Sequence, residues 1–122
     1  MHEFSVMDSL MRLILEHAKA GGIARVTRVR MVVGRLRGLD LRQLRGCFEI
    51  LAEDTVAEGA ELDIEAVAPA GCCRDCGEEF DIPDYTLRCP HCGGGQIDIT
   101  RGRELHLASF DGTREPAAAA GQ

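Results

Sequence analysis

Two short cysteine motifs constrain the fold of this sequence more than any other feature. Each motif reads Cys-x-x-Cys-Gly; the first contains Cys73 and Cys76, and the second contains Cys89 and Cys92. A gap of two residues lets both thiolates of a motif reach one ion, and the glycine lets the turn adopt a positive φ. Four thiolates are the ligand set of a closed, tetrahedral structural zinc site. We therefore predict that these cysteines bind one zinc ion.

The segment 71–102, which holds both motifs, has few bulky apolar side chains, so burial alone does not order it. A structural zinc ion contributes about 10–16 kcal/mol to the folding of peptide hosts, so a bound zinc ion would supply the folding free energy that burial does not.

A rubredoxin-type iron site uses the same cysteine spacing and is one alternative to zinc. A pair of redox dithiols is a second alternative. Cys72 adjoins Cys73 and is an alternative ligand, but the Cys-x-x-Cys register favours Cys73, so Cys72 is expected to be a spare thiol. Cys47 is expected to pack as a small hydrophobe.

Composition limits the classes of partner. The chain has 122 residues, a net charge of −6 and six cysteines. An acidic chain repels phosphate backbones, and acids outnumber arginines around the cysteine motifs, so we expect no nucleic-acid binding. The sequence contains no apolar run long enough to cross a membrane and no pattern typical of a secretory signal. We therefore expect a cytoplasmic protein that uses its cysteines for metal or redox chemistry rather than for disulfides.

Two helices are predicted in the first half of the chain. Apolar residues at helical spacing indicate a helix from about Val6 to Ala20, with Ser5 and Asp8 forming a capping box. A second apolar stripe follows Asp40, which is predicted to cap this helix, with Gln43 completing its box.

Three strands are predicted from alternating apolar and polar residues. The first spans 23–33, the second spans 60–67, and the third spans 104–110, after the cysteine motifs. In the first strand four side chains are expected to face the core: Thr27, Val29, Met31 and Val33.

The order of these elements predicts an α+β fold with two helices packed on a small three-stranded sheet. The cysteine motifs form an inserted zinc-ribbon-like module, because the last strand must return to the sheet. We therefore divide the chain into an α+β domain, 1–68, completed by the return strand 103–112, and a zinc-binding module, 69–102. The segment 113–122 has no periodicity and is expected to be a disordered tail.

The amino terminus reads Met-His-Glu and carries several nitrogen donors. The amine of Met1, the amide nitrogen of His2 and its Nδ1 form fused chelate rings, and the Glu3 amide adds another. Nitrogen-rich sets with deprotonated amides suit Cu(II) and Ni(II). Because Nδ1 must lie cis to its own amide nitrogen, these residues do not close a square of four nitrogens. We expect an exchangeable site that needs an outside ligand, against the alternative of a solvated, inert His2.

Together, the opening MHEFSV, the motifs CRDC and CPHC, and the return strand ending in LASF resemble the HypA/HybF family of nickel metallochaperones for [NiFe]-hydrogenase maturation. The resemblance runs from Met1 to about Gly112. It implies that Met1, His2 and Glu3 bind nickel as transient cargo and that the four motif cysteines bind structural zinc. It also implies two partners, the GTPase HypB and the hydrogenase large subunit, with urease as a further recipient in some members.

Asp40 is an additional candidate for an oxygen ligand of the nickel ion, if its loop lies beside the amino terminus; its simpler role is the helix cap.

The leading hypothesis is a non-enzymatic nickel carrier, present as a monomer or weak homodimer. A zinc-ribbon adaptor with an inert His2 is one alternative. A thiol–disulfide enzyme is another, although no helix N-terminus lies next to the cysteines to lower a thiol pKa. No catalytic constellation and no phosphate-binding glycine loop are present, so GTP hydrolysis belongs to a partner.

Overall fold

The computed structural model describes residues 2–114, apart from the side chain of Asp84. The helices and strands are α1 Glu3–Ala20, β1 Arg25–Gly34, α2 Leu41–Ala52, β2 Glu61–Val67, β3 Ala70–Cys73, β4 Glu79–Asp81, β5 Ile97–Arg101 and β6 Leu105–Thr113. The strands form two sheets of three, in the orders β2-β1-β6 and β4-β3-β5. The predicted α+β class is confirmed.

The described chain forms two compact units. The first comprises residues 2–31, 39–65 and 106–114, and the second comprises 32–38 and 66–105. Most of the segment predicted to be a disordered tail, from position 115 onward, lies outside the described residues, and Thr113 ends β6. No helix within residues 2–114 is long and apolar enough to cross a membrane.

The first unit has an almost entirely aliphatic core, as expected for a chain with no tryptophan. Helix α1 packs against α2. The buried side chains of these helices are Met7, Leu10, Met11, Ile14, Ala18, Leu44, Phe48 and Ala52. Strand β2 buries Leu62 between the exposed Glu61 and Asp63, as its alternation predicts.

Helix α1 begins earlier than predicted. It starts at Glu3 with His2 as its N-cap, so Ser5 and Asp8 lie within the helix and form no capping box. A carboxylate in the first turn interacts favourably with the helix dipole, and Glu3 supplies it at the first helical position. The side chain of His2 makes no capping hydrogen bond.

The alternation of β1 shifts along the strand. Val29, Met31 and Val33 are buried as predicted, but Thr27 is exposed and Val26 is buried instead. The hydroxyl of Thr27 donates to the carbonyl oxygen of Asp111 on β6. The prediction for Thr27 was wrong because a strict period of two does not include this shift.

The second unit is built on the antiparallel sheet β4-β3-β5, with β3 in the centre. Gly71 lies opposite Phe80 on one side and Ile99 on the other. Its buried side chains are few, as expected from the composition: Val33, Ala70, Cys73, Ile82 and Cys89.

Two glycines allow the end of β1 to approach the turn between β5 and β6. The N–H of Gly34 donates to the carbonyl oxygen of Glu104, and the N–H of Leu36 donates to that of Gly102. A Cβ on Gly34 would lie 2.0 Å from the carbonyl oxygen of Gly102. Gly102 itself has a φ of 116°. This contact therefore requires glycine at both positions.

We expect Gly34→Ala to destabilise the chain by about 1–3 kcal/mol, because the added methyl group meets backbone atoms that cannot rotate away. Gly46→Ala in the middle of α2 is the matched control, since its added methyl group would point into open space. This control should instead stabilise the chain by about 0.5–1 kcal/mol. Chemical denaturation followed by circular dichroism measures both changes. Equal effects of the two substitutions would contradict the close approach.

Candidate metal sites

The two cysteine motifs adopt the same local structure. In the first, the N–H of Gly77 donates to the carbonyl oxygen of Cys73 at 2.8 Å, and in the second Gly93 donates to Cys89 at 2.9 Å. Gly77 and Gly93 have φ values of 80° and 77°, so the predicted need for glycine after each second cysteine is confirmed. The sequence repeat is therefore also a structural repeat, with two turns that each present a pair of sulfur atoms.

The four sulfur atoms of these turns converge on one point. The Sγ atoms of Cys73, Cys76, Cys89 and Cys92 all lie within 4.8 Å of one another. The Sγ atoms of Cys73 and Cys92 are 3.5 Å apart, those of Cys76 and Cys89 are 3.6 Å apart, and all four thiols are free. Tetrahedral ligation with metal–sulfur bonds of about 2.3 Å places sulfur atoms about 3.8 Å apart. The cluster therefore fits a four-coordinate metal ion.

The environment of Cys89 favours its thiolate. Burial raises the pKa of this thiol, but the backbone N–H groups of Cys92 and His91 donate to its Sγ and lower the pKa to about 6. Metal-binding cysteines must lose their protons, and N–H donors to a ligating sulfur stabilise the charge that remains. The second turn therefore presents one sulfur that is prepared for ligation.

Two contacts around the cysteines have no local signal in the sequence. Arg74 donates to Asp98 on β5 at 2.8 Å, and its backbone N–H donates to the carbonyl oxygen of Gln96. The imidazole of His91 in the second turn lies 3.8 Å from the carboxylate of Glu78, which follows the first turn. These contacts connect the first turn to β5 and to the second turn.

The remaining cysteines lie outside the cluster. It is Cys73, and not the adjacent Cys72, whose sulfur belongs to it. The thiol of Cys72 is half-buried, and its sulfur lies 3.6 Å from the carbonyl oxygen of Gly77. Cys47 on α2 is also half-buried.

The second candidate site, at the amino terminus, lies partly outside the described residues, because Met1 is not among them. His2 is exposed and extended, with φ −95° and ψ 132°. Glu3 is the first residue of α1, and its Oε2 accepts a hydrogen bond of 2.7 Å from the backbone N–H of Asp40. This bond fixes the start of α1 beside the start of α2.

Asp40 is the N-cap of α2, as predicted. Its Oδ1 accepts hydrogen bonds from the backbone N–H groups of Arg42 at 2.9 Å and Gln43 at 3.3 Å. The prediction that the side chain of Gln43 completes the capping box is wrong, because the backbone N–H of Asp40 donates to the carboxylate of Glu3 and not to Gln43. A residue 37 positions away thus completes the cap.

The hydrogen bond from Asp40 lowers the pKa of Glu3, and the Glu3 backbone N–H adds to this effect. A carboxyl group with a lowered pKa in the folded chain stabilises the fold above its unfolded pKa. That contribution is lost as the pH falls through the lowered value. At neutral pH, Glu3 is therefore an ionised group that holds the two helix starts together.

The remaining histidines are separate from both sites, as their sequence positions suggested. His17 lies in the last turn of α1, where a cation suits the helix dipole, and His106 is exposed on β6. Neither belongs to a group of potential ligands among residues 2–114, where the four-cysteine cluster is the one such group.

Comparison with known proteins identifies the family. Residues 1–112 match the family described as HypA, hydrogenase/urease nickel incorporation, metallochaperone. The chain is 39% identical over 110 residues to the hydrogenase maturation factor HypA of Chlorobaculum tepidum, covering 90% of this chain and 97% of that protein. It is 40% identical over 112 residues to the hydrogenase maturation factor HybF of Klebsiella pneumoniae, covering 92% and 99%.

Solved structures agree with this match. The solution structure of the nickel metallochaperone HypA from Helicobacter pylori is similar with a TM-score of 0.68 and 32% identity, over 94% of this chain and 100% of that one. A second solution structure of a HypA protein gives a TM-score of 0.71 at 32% identity, over 93% and 98%. The chain therefore belongs to the HypA family of hydrogenase and urease nickel-incorporation metallochaperones, which are maturation factors and not enzymes.

Proposed function

We propose that this chain binds Ni(II) at its amino terminus and delivers it for the maturation of [NiFe]-hydrogenase. The proposed ligands are the amine of Met1, the amide nitrogen and Nδ1 of His2, and the amide nitrogen of Glu3. Nitrogen donors of this kind suit Ni(II). Because the set lacks a complete square plane, the ion stays exchangeable, which a carrier requires.

The observation that carries this proposal is the hydrogen bond from the Asp40 N–H to the Glu3 carboxylate. The first residues of a chain are usually poorly ordered, and this bond supports an ordered start. It uses none of the proposed ligand nitrogens, although the Glu3 N–H also interacts with its own carboxylate and would give up that interaction on binding nickel. The carboxylate of Glu3 thus acts as the anchor while its amide nitrogen acts as a ligand.

Asp40 remains a candidate for the additional oxygen ligand. Its Oδ1 caps α2 through Arg42 and Gln43, and its backbone is held next to Glu3. A carboxylate at this position lies close enough to raise the pKa of Glu3 by charge repulsion, although the hydrogen bond outweighs this effect. Two neighbouring carboxylates would also attract a divalent cation.

We propose Zn(II) as the ion of the four-cysteine cluster. A closed set of four thiolates is typical of structural zinc, and the sulfur separations support a tetrahedral ion. Bound zinc would supply folding free energy to a unit with few buried side chains. The residues that hold it are Cys73, Cys76, Cys89 and Cys92.

The proposed setting is the cytoplasm, with the GTPase HypB and the hydrogenase large subunit as partners. The family supports this assignment as far as the recipient is concerned, since nickel incorporation into a hydrogenase requires the hydrogenase itself. Urease is a second recipient named in the family description. A zinc-ribbon adaptor without nickel remains the competing function, and nickel binding separates the two.

Substitutions of Glu3 test the anchor. We expect Glu3→Ala to weaken nickel binding about tenfold, which is about 1.4 kcal/mol, because the start of α1 is then no longer held. Glu3→Gln should bind nearly as well as the native chain, since its amide oxygen still accepts from the Asp40 N–H. Calorimetric titration with Ni(II) at neutral pH measures the affinities. The amide resonance of Asp40 should shift in Glu3→Ala and much less in Glu3→Gln. Unchanged nickel affinity in Glu3→Ala would argue against the anchor.

Adjacent cysteines provide a matched test of the zinc site. We expect Cys73→Ser to lose stoichiometric zinc and to abolish hydrogen-exchange protection in β3, β4 and β5, because metal-binding energy of about 10–16 kcal/mol is then lost. Cys72→Ser should keep one zinc ion per chain, since its sulfur lies outside the cluster. Elemental analysis of the purified proteins measures the metal. Full zinc loading of Cys73→Ser, or zinc loss from Cys72→Ser, would contradict the assignment.

A further inference from the structure

A group of arginines in the second unit is separate from both metal sites. Arg35 and Arg37 belong to the 3-10 turn after β1, and Arg101 and Arg103 lie at and just after the end of β5. All four side chains are exposed. We call these four residues the arginine surface. In a chain with a net charge of −6, it is a local concentration of positive charge.

The backbone holds two of these arginines close to each other. Hydrogen bonds from Gly34 to Glu104 and from Leu36 to Gly102 lie on either side of Arg35 and Arg103, so the backbones of these two residues are close neighbours. Two positive charges held near each other repel. The Nε of Arg37 also donates to the carbonyl oxygen of Arg103 at 2.7 Å, which brings a third guanidinium to the same place.

Most of these arginines form no ion pair with a carboxylate of residues 2–114. Among residues 2–114, the arginines that form ion pairs are Arg12, Arg28, Arg30, Arg74 and Arg101. None of these ion pairs involves Arg35, Arg37 or Arg103. Only Arg101 on the arginine surface has a carboxylate partner, Asp81, at 3.4 Å. Among the described residues, three of the four guanidinium groups of the arginine surface therefore form no ion pair, although Glu104, next to Arg103 in the sequence, adds one negative charge nearby.

We propose that the arginine surface docks a carboxylate-rich segment of a partner protein. A guanidinium presents two parallel N–H donors that match a carboxylate, and carboxylates placed between Arg35 and Arg103 remove their repulsion. Beside them, Arg101 and Arg103 line an open cleft of about 170 Å³. That volume is below the range of about 300–1,000 Å³ of small-molecule pockets, and it accommodates side chains of a docked segment.

Carboxylates fit this surface better than nucleic acid does. A nucleic-acid groove combines a long basic track with aromatic side chains for base stacking. Here the cleft is lined by Glu104 as well as by arginines, and its other lining residues are Ile99 and Thr100. None of these lining residues is aromatic, so the cleft offers no stacking surface for bases, whereas its guanidinium groups can pair with carboxylates.

The test uses the full-length, zinc-loaded chain without nickel, so its outcome is independent of the proposed nickel site. The probe is a fluorescein-labelled oligoglutamate peptide, and fluorescence anisotropy at low ionic strength measures its affinity. We expect the native chain to bind this peptide and the double substitution Arg35→Glu/Arg103→Glu to weaken binding about tenfold or more. Arg35→Gln/Arg103→Gln, which removes charge without reversing it, should weaken binding by a smaller factor.

The matched control is Arg12→Glu/Lys19→Glu, which changes the net charge equally on exposed positions of α1. This control should bind within about twofold of the native chain, since only long-range, screened charge changes. Zinc content and far-ultraviolet circular dichroism verify the fold of each variant. The proposal is overturned if the native chain does not bind the peptide or if both Glu variants weaken binding equally. Tighter binding of a single-stranded oligonucleotide than of the peptide overturns it as well.

Discussion

Four thiol groups lie within 4.8 Å of one another, and the second unit is arranged around them. The turns that carry them, the positive φ of Gly77 and Gly93, and the N–H donors to the Cys89 sulfur all serve to bring these atoms together. The unit has few other buried side chains. Without a bound ion, four converging thiols have little to hold them in place, so folding and metal binding are expected to be one event.

In the first unit, the start of α1 is held beside the start of α2. The Glu3 carboxylate accepts from the Asp40 N–H, and Asp40 in turn caps α2. These bonds connect two helix N-termini, each of which has backbone N–H groups without helical partners. The proposed exchangeable cation site needs backbone nitrogens that no helical hydrogen bond occupies, together with a fixed geometry. The proposed division between a closed four-thiolate site and an open terminal site thus follows from the donors that each unit presents.

Local signals in the sequence predicted much of this arrangement. The spacing of the cysteines, the glycine after each pair and the cap at Asp40 depend on neighbouring residues. Alternation indicated β1, β2 and β6, but not the three strands of the second sheet, β3, β4 and β5. What the sequence did not reveal depends on distant pairs. The start of α1 was predicted too late in the chain, at Val6 instead of Glu3, because Ser5 has the sequence pattern of a local cap that the helix does not use. The carboxylate of Glu3 instead accepts a hydrogen bond from a residue 37 positions away.

The same limit explains the other differences. The contact of Gly34 with Gly102 joins two segments that are far apart in the sequence, and only the three-dimensional structure brings Arg35 close to Arg103. Arg74 and Asp98 have no common local pattern either. Thr27 was assigned to the core because a period of two cannot include the shift in β1. Periodicity describes the face of one element, whereas these contacts are set by how elements meet.

The most direct test of the nickel-carrier account is a calorimetric titration of the zinc-loaded chain with Ni(II) at neutral pH. Three proteins are compared: the native chain, His2→Gln, and a chain with one extra residue ahead of Met1. The account predicts one nickel ion per native chain and no comparable binding by either altered protein, with zinc retained in all three. Equal nickel binding by all three would contradict it, because the site would then not include the terminal amine or His2.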